Sequence, residues 1–433
     1  MPIFNQIVKG SGGGAAEQFG LPVSSWSKLD VDANGELQKA TASGDLSFDG
    51  VVSIKQLGVV PDNWFYNNKG ITSVNFPDLE LVCVSSGSGN NFYQAFRSCT
   101  NITGTVGFPK LEKLGDYSDN KAVYGTFANM FQGCTSITGV DLSALKEIYG
   151  ERAFYYGFNG CTGITGNLDL SSLEIVRATS GEGAFSYGFQ GCTGITSVDM
   201  SSLTQIILPP SGSIGQAFAW MFQNCTGITS VDMSSLTTIS TGRTTYSGTY
   251  TACMCMFDGC SSLATVDLSS LQTISGANCC SSMFQNCTSL TSIDLSSLTT
   301  INGSYFAACN YMFSGCTNLA SANLSGLQQI GGDGGCSRMF QNCTSLTSMN
   351  FASLTSVKGG SYMFSGCTSL TSVSFPALTV AGAITDFNWF SGVDGCTLHF
   401  PSNLQSTIEA KSAYPNFGGT NTTVLFDLPS TES

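Results

Sequence analysis

The chain has 433 residues, of which only 10% are charged, and its formal net charge is −13. An aromatic content of 11% excludes a disordered low-complexity chain, which would lack rings to bury. The acidic balance excludes a nucleic-acid partner, which needs clustered Lys and Arg, and no apolar run is long enough to span a bilayer.

Residues 1–14 read as an anchor peptide, Met1-Pro-Ile-Phe-Asn-Gln-Ile-Val-Lys, joined to a glycine hinge at Gly10 to Gly14. This start lacks a basic segment followed by an apolar stretch, so no secretory signal is expected. Residues 15–70 do not fit the pattern that follows. Within them Val51 to Tyr66 reads as a capping unit, with Trp64 and Phe65 where a repeat would carry its Phe; repeat stacks need such caps to shield the terminal core.

Residues 71–395 are repeats. The clearest copy runs from Met283 to Ile301, in the pattern [MG]-F-x-[GN]-C-T-x-[LI]-T-x-[VI]-D-[LM]-S-S-L-x-x-I. Its cysteine recurs at Cys99, Cys134, Cys161, Cys192, Cys225, Cys260, Cys287, Cys316, Cys343 and Cys367, at intervals of 24 to 35 residues. A unit this short cannot bury its own apolar side, so neighbours must stack and share one core. The fold expected is a β-rich solenoid of about eleven leucine-rich-type repeats. Leu290, Ile293 and Leu295 point inward from a short strand and its approach. Leu298 and Ile301 return to the core after the Ser-Ser bend, and Met283 and Phe284 fill the opposite wall. Length varies between the Ile301-type and Met283-type positions, which marks the loop side.

Equivalent positions form columns. Three residues before the Met-Phe pair the column runs Phe127, Phe154, Phe185, Phe218, Cys253, Cys280, Cys309 and Cys336, a packing column that narrows. The motif cysteines, Cys134 to Cys367, form a second column and are expected to be free, buried and structural. With no C-x-x-C pair and His399 as the only histidine, neither zinc nor another cofactor is expected. Asp141, Asp169, Asp199, Asp232, Asp267 and Asp294 form a third column, continued by Asn323 and Asn350. Like charges at strand spacing repel unless compensated, either by nearby hydroxyls and amides or by a strip of cations such as Ca²⁺.

The motif resembles the BspA-like branch of the leucine-rich repeat proteins, whose F-x-x-C-x-x-L-x-x-I core is matched at Phe284, Cys287, Leu290 and Ile293. The resemblance covers roughly residues 71 to 400, although Ser-Ser stands where such repeats often carry proline. It implies the fold and an association with surface adhesion, without naming a partner.

No sequence-visible constellation carries catalysis. His399 lies alone, no Gly-Lys-Ser/Thr follows the glycine-rich segments, and no carboxylate pair stands out, so the chain is expected not to be an enzyme. Binding is expected at the longest loops, Glu112 to Thr126, Ile206 to Ala217 and Ser240 to Thr251, through Tyr117, Tyr124, Arg243, Tyr246 and Tyr250. Tyr among Ser, Gly and Thr is the composition of adaptable recognition loops. Tyr149, Tyr155, Tyr156, Tyr187 and Trp220 add aromatics to the same side of neighbouring coils, and of these Tyr155 and Trp220 are read as cover for the loop-side core.

Residues 396–433 read as a C-terminal cap and tail, with Thr422 to Leu428 as a last strand. An anchor, a hinge and a long repeat resemble the layout of bacteriophage tail-fibre or receptor-binding proteins. That layout implies a virion protein that attaches to a bacterial receptor, glycan or protein, through its loops and to a particle subunit through residues 1–14. A cell-surface adhesin and a virion decoration protein are the alternatives. A homo-oligomer is compatible with the layout, but no heptad or collagen-like segment supplies a trimerisation device.

Overall fold

A computed structural model describes residues 44–47, 53–54, 63–82, 92–115, 123–178, 183–208, 214–241, 249–303, 308–332, 335–379, 388–411 and 414–430. Each coil of the chain makes two short strands and a run of turns, and every strand pairs in parallel with its counterpart one coil away. The result is a stack of about eleven coils around one continuous core.

The longest sheet has 12 strands. It is built from the segment that carries Ile301, through strands such as Thr238–Ser240, Thr273–Ser275 and Thr300–Asn302. Ile239, Ile274 and Ile301 are register partners, and all three are fully buried. The strand expected within Leu290 to Leu295 is present as Ser292–Asp294, and the Ile301 segment, expected only to return to the core, forms a second strand. The β-branched Thr-Ile pair favours extended backbone, and this short strand extends from coil to coil without interruption.

The segment carrying the Asp column does form strands, such as Ser230–Asp232, Thr265–Asp267 and Ser292–Asp294, but they gather into several separate sheets of two to four strands. The strands end at the aspartate for a local reason. Asp232 Oδ1 accepts the Ser234 amide at 2.9 Å and Asp267 Oδ1 the Ser269 amide at 3.0 Å. The side chain thereby closes the turn that the Asp-[LM]-Ser-Ser-Leu sequence encodes, and Leu236 then bonds back to Met233 at 3.0 Å.

The third side is a run of turns through the Met-Phe-x-[GN]-Cys segment. The motif phenylalanines stack without a gap: Phe65, Phe96, Phe131, Phe158, Phe189, Phe222, Phe257, Phe284, Phe313, Phe340, Phe364 and Phe390 lie with neighbouring ring centroids 5.1–5.7 Å apart. Offset-stacked rings add about 0.5–1.5 kcal/mol per pair beyond their burial. Phe65 is the first ring of this stack, as its place in the capping unit suggested, and the strand Gly44–Ser47 already pairs with Ile71–Asn75. The stack therefore begins before residue 71. At the other end Thr397–Pro401 and Thr423–Leu428 pair as its last strands.

The motif cysteines are buried and free, and each has a partner. Cys134, Cys161, Cys192, Cys225, Cys260, Cys287, Cys316, Cys343 and Cys367 each donate through Sγ to the carbonyl of a motif Phe in the preceding coil, at 3.0–3.2 Å. Burial pushes the thiols up, to about 12 at Cys161, Cys225, Cys316 and Cys367. They are held as neutral donors rather than nucleophiles. The narrowing column is also buried throughout, from Phe127 to Cys336.

Candidate binding surface

The residue just before the Met-Phe pair holds a left-handed backbone in coil after coil. Asn129, Tyr156, Tyr187, Trp220, Cys255, Ser282, Tyr311, Arg338 and Tyr362 have φ between 52° and 59°. Non-glycine residues pay about 1–2 kcal/mol to stand there, and Asn carries that cost best. Five of these nine are instead Tyr or Trp, on the outer side of the turns, where the core does not need them.

The large side chains form two groups. Tyr156 lies on Tyr187 at 4.3 Å and Tyr187 on Trp220 at 4.8 Å, with interplanar angles of 3° and 1°. Past an interval of two coils, Arg338 is sandwiched between Tyr311 and Tyr362, its guanidinium carbon 5.3 and 5.0 Å from the ring centroids. Such contacts return part of the backbone cost, about 0.5–1.5 kcal/mol for a ring pair and about 0.5–1 kcal/mol for an exposed cation over a ring. Between the two groups the column shrinks to Cys255 and Ser282. The Cys255 thiol lies beside the Trp220 and Ser282 side chains, and burial pushes it up to about 11.

Beside the aromatic column runs a chain of amides. Gln132 donates to Asn159 at 3.0 Å, Asn159 to Gln190 at 2.9 Å, Gln190 to Gln223 at 2.6 Å, and Gln223 Nε2 to Asp258 Oδ2 at 2.9 Å. Asp258 can only accept, so the chain stops there. Asn286 Nδ2 reaches it from the opposite side, 3.2 Å from Oδ1. The amide chain thus ends at Asp258, in the coil that follows the last ring of the aromatic stack, where the inner column has changed from Phe218 to Cys253.

The aspartate column faces a shallow groove lined by Asn167, Ser197, Asp199, Asp232, Asp267 and Asp294. Asp141, Asp169, Asp199 and Asp294 cap their own turns as Asp232 and Asp267 do, through the amides of Ser143, Ser171, Ser201 and Ser296. Among the described residues no three His, Cys, Asp or Glu side chains converge to hold a metal ion. Each of the six aspartates thus closes its own turn through the amide two residues on.

His399 Nδ1 lies 2.9 Å from Asp427 Oδ2, and Ser374 is its register partner on the adjacent strand. The Ser374 hydroxyl donates instead to Asn350 at 2.8 Å, so no base is poised on it. Of the loop residues expected to bind, Tyr117, Arg243 and Tyr246 lie outside the described residues. Tyr124 and Tyr250 contribute backbone to the strands Val123–Tyr124 and Thr249–Thr251, paired with Glu151 and Gly215.

The sequence places Tyr156, Tyr187 and Trp220 on one side of neighbouring coils, but the reading of Trp220 as core cover leaves the column, with Tyr311, Arg338 and Tyr362, unrecognised. Trp220 is only partly buried and belongs to the surface stack. The signal was in the sequence, as Tyr156-Gly-Phe, Tyr187-Gly-Phe, Trp220-Met-Phe, Tyr311-Met-Phe and Tyr362-Met-Phe.

Among the described residues no helix is long and apolar enough to cross a membrane. Residues 128–250, 201–312, 244–334 and 309–410 match the BspA type leucine rich repeat region. Among solved structures, the chain is similar to a leucine-rich repeat protein from Bacteroides ovatus, with 18% identity over 82% of this chain and 92% of that one and a TM-score of 0.29. It is similar to a leucine rich cell surface protein from Faecalibacterium prausnitzii, with 15% identity over 94% of this chain and 96% of that one and a TM-score of 0.30. It is also similar to the pneumococcal vaccine antigen PcpA, with 11% identity over 93% of this chain and 82% of that one and a TM-score of 0.34. No curated protein matches the chain.

Proposed function

The chain belongs to the BspA-type leucine-rich repeat family, and from that membership we propose that it is a non-enzymatic adhesion protein working at a cell surface. The observation that carries this reading is the outer column of Tyr156, Tyr187, Trp220, Tyr311, Arg338 and Tyr362, large side chains held at unfavourable φ where packing of the core does not require them. Backbone strain of this kind persists where function uses the residue. Rigid aromatics on a stiff scaffold bind with little loss of side-chain entropy.

Catalysis forms no part of the proposal. The thiols are buried donors, and His399 pairs with Asp427 without engaging a nucleophile. The phage-particle reading rests on residues 1–14, which lie outside the described residues, and on a likeness of layout alone. Family membership favours the cell-surface adhesin over it. The partner in this reading is a macromolecular surface, glycan or protein, and no nucleic acid, given the net charge of −13.

The test is immunogold electron microscopy of the source culture with an antibody to the repeat region. Label along intact cell envelopes is the expected result. Label confined to phage-like particles in lysates would overturn the cell-surface reading and restore the virion one.

A further inference from the structure

The break in the aromatic column carries one further step, which rests on the binding reading above. We propose that it is a glycan-binding notch: a neutral hexopyranose stacks against Trp220, above Cys255 and Ser282, with Asp258 accepting hydrogen bonds from its hydroxyls.

The walls come first. Trp220 has Tyr187 on one side, at 4.8 Å, and the small Cys255 coil on the other. Tyr311 has Arg338 on one side, at 5.3 Å, and the small Ser282 coil on the other. Three coil steps separate the two rings, about 14 Å at the spacing of paired strands. A sugar ring in van der Waals contact with one wall, ~4 Å away, stays clear of the other.

The chemistry of the walls and rim selects the occupant. An aromatic face is negative, and the axial C–H face of a pyranose is its natural partner. The rim is polar: Gln223, Asp258 and Asn286 are joined by hydrogen bonds to both carboxylate oxygens. A carboxylate has about four acceptor positions, so two remain for sugar hydroxyls. A peptide strand would find no unpaired sheet edge here, since Cys255 and Phe257 already donate to Ser281 and Met283 of the next coil. Charge narrows the class further. Asp258 stands at the notch in a chain of net charge −13, which repels sulfated, sialylated or uronic polymers.

The experiment is affinity electrophoresis of the purified full chain in native gels. The gels are cast with a mixed-linkage β-glucan, a mannan, a galactan, a dextran or a neutral mucin glycoprotein, and with hyaluronan and heparin as acidic controls. At least one neutral polymer should retard the protein and neither acidic one should. Trp220→Ala should weaken the retardation roughly tenfold, the scale of one stacked contact. Cys255→Tyr should also abolish it, by continuing the stack into the notch, and circular dichroism should show both variants folded. The proposal is overturned if no neutral polymer retards the chain, if both folded variants bind as the parent does, or if acidic polymers bind as well. It is equally overturned if only mucin binds and periodate oxidation of its sugars leaves that binding intact, which would indicate a protein partner. The gels are blind to location: failure here leaves the cell-surface reading standing, and particle-bound immunogold label leaves the glycan result standing.

Discussion

Cys287 donates its thiol hydrogen to the carbonyl of Phe257, one coil earlier, across 3.2 Å. Both residues are fully buried, and the bond recurs with the same geometry along the stack. The Phe carbonyl already closes its own turn with the Cys260 amide at 3.1 Å, and the thiol fills its second acceptor position. The motif cysteine is therefore the smallest apolar residue that still supplies a donor between coils.

Replacing Cys287 with Ala should remove that donor and leave a small void. The Phe257 carbonyl keeps its Cys260 amide, so the lost bond is worth about 0.5–1.5 kcal/mol and the void adds to it. Cys287→Ala should therefore lower the urea midpoint by an amount equivalent to about 1–2 kcal/mol. A midpoint within error of the parent protein would show that the thiol only fills space.

The same burial makes the fold sensitive to alkali. Folded-state thiols pushed up to about 12 at Cys161, Cys225, Cys316 and Cys367 exceed the value of a free thiol, about 8.5. The stabilisation is thus fully present below the free-thiol value and is lost as pH rises from there towards 12. The melting temperature should hold through pH 8 and fall steadily above about pH 9. Iodoacetamide at pH 8 should leave these four unmodified until the chain is unfolded. Rapid alkylation of the native protein would contradict both statements.

Gly315 and Asn286 offer a third test. From Asn224 onward the left-handed position before the motif cysteine alternates between Asn and Gly: Asn224, Gly259, Asn286, Gly315, Asn342, Gly366. A Cβ on Gly315 would stand 2.5 Å from Asn286 Oδ1, and one on Gly366 would stand 2.3 Å from Asn342 Oδ1. Asn tolerates this φ, so Gly315→Asn isolates the steric conflict from the backbone term. The single change should cost about 1–3 kcal/mol, and adding Asn286→Gly should recover much of it. A double-mutant cycle measures that coupling, and additive effects would mean that the alternation has no steric origin.

The sequence showed the period, and with it the parallel stack, the shared core and the buried thiols. Phe284, Cys287, Leu290, Ile293 and Leu298 recur at fixed spacing, and an inward residue is recognisable from its own coil alone. The strand at Ile301 was less legible. Three residues such as Thr300-Ile301-Asn302 show little alternation, and what makes them a strand is pairing with Thr273–Ser275.

The aromatic residues of the surface are legible in the sequence, but their contacts are not, for a related reason. The stack of Tyr187 on Trp220, the amide chain ending at Asp258 and the clash between Asn286 and Gly315 all join residues 29 to 35 positions apart. Unequal loops separate them, so no fixed spacing brings them together on the page. Only the closing of each coil puts such side chains within contact distance, and only then do a break in a ladder and the two walls around it exist as features of the molecule.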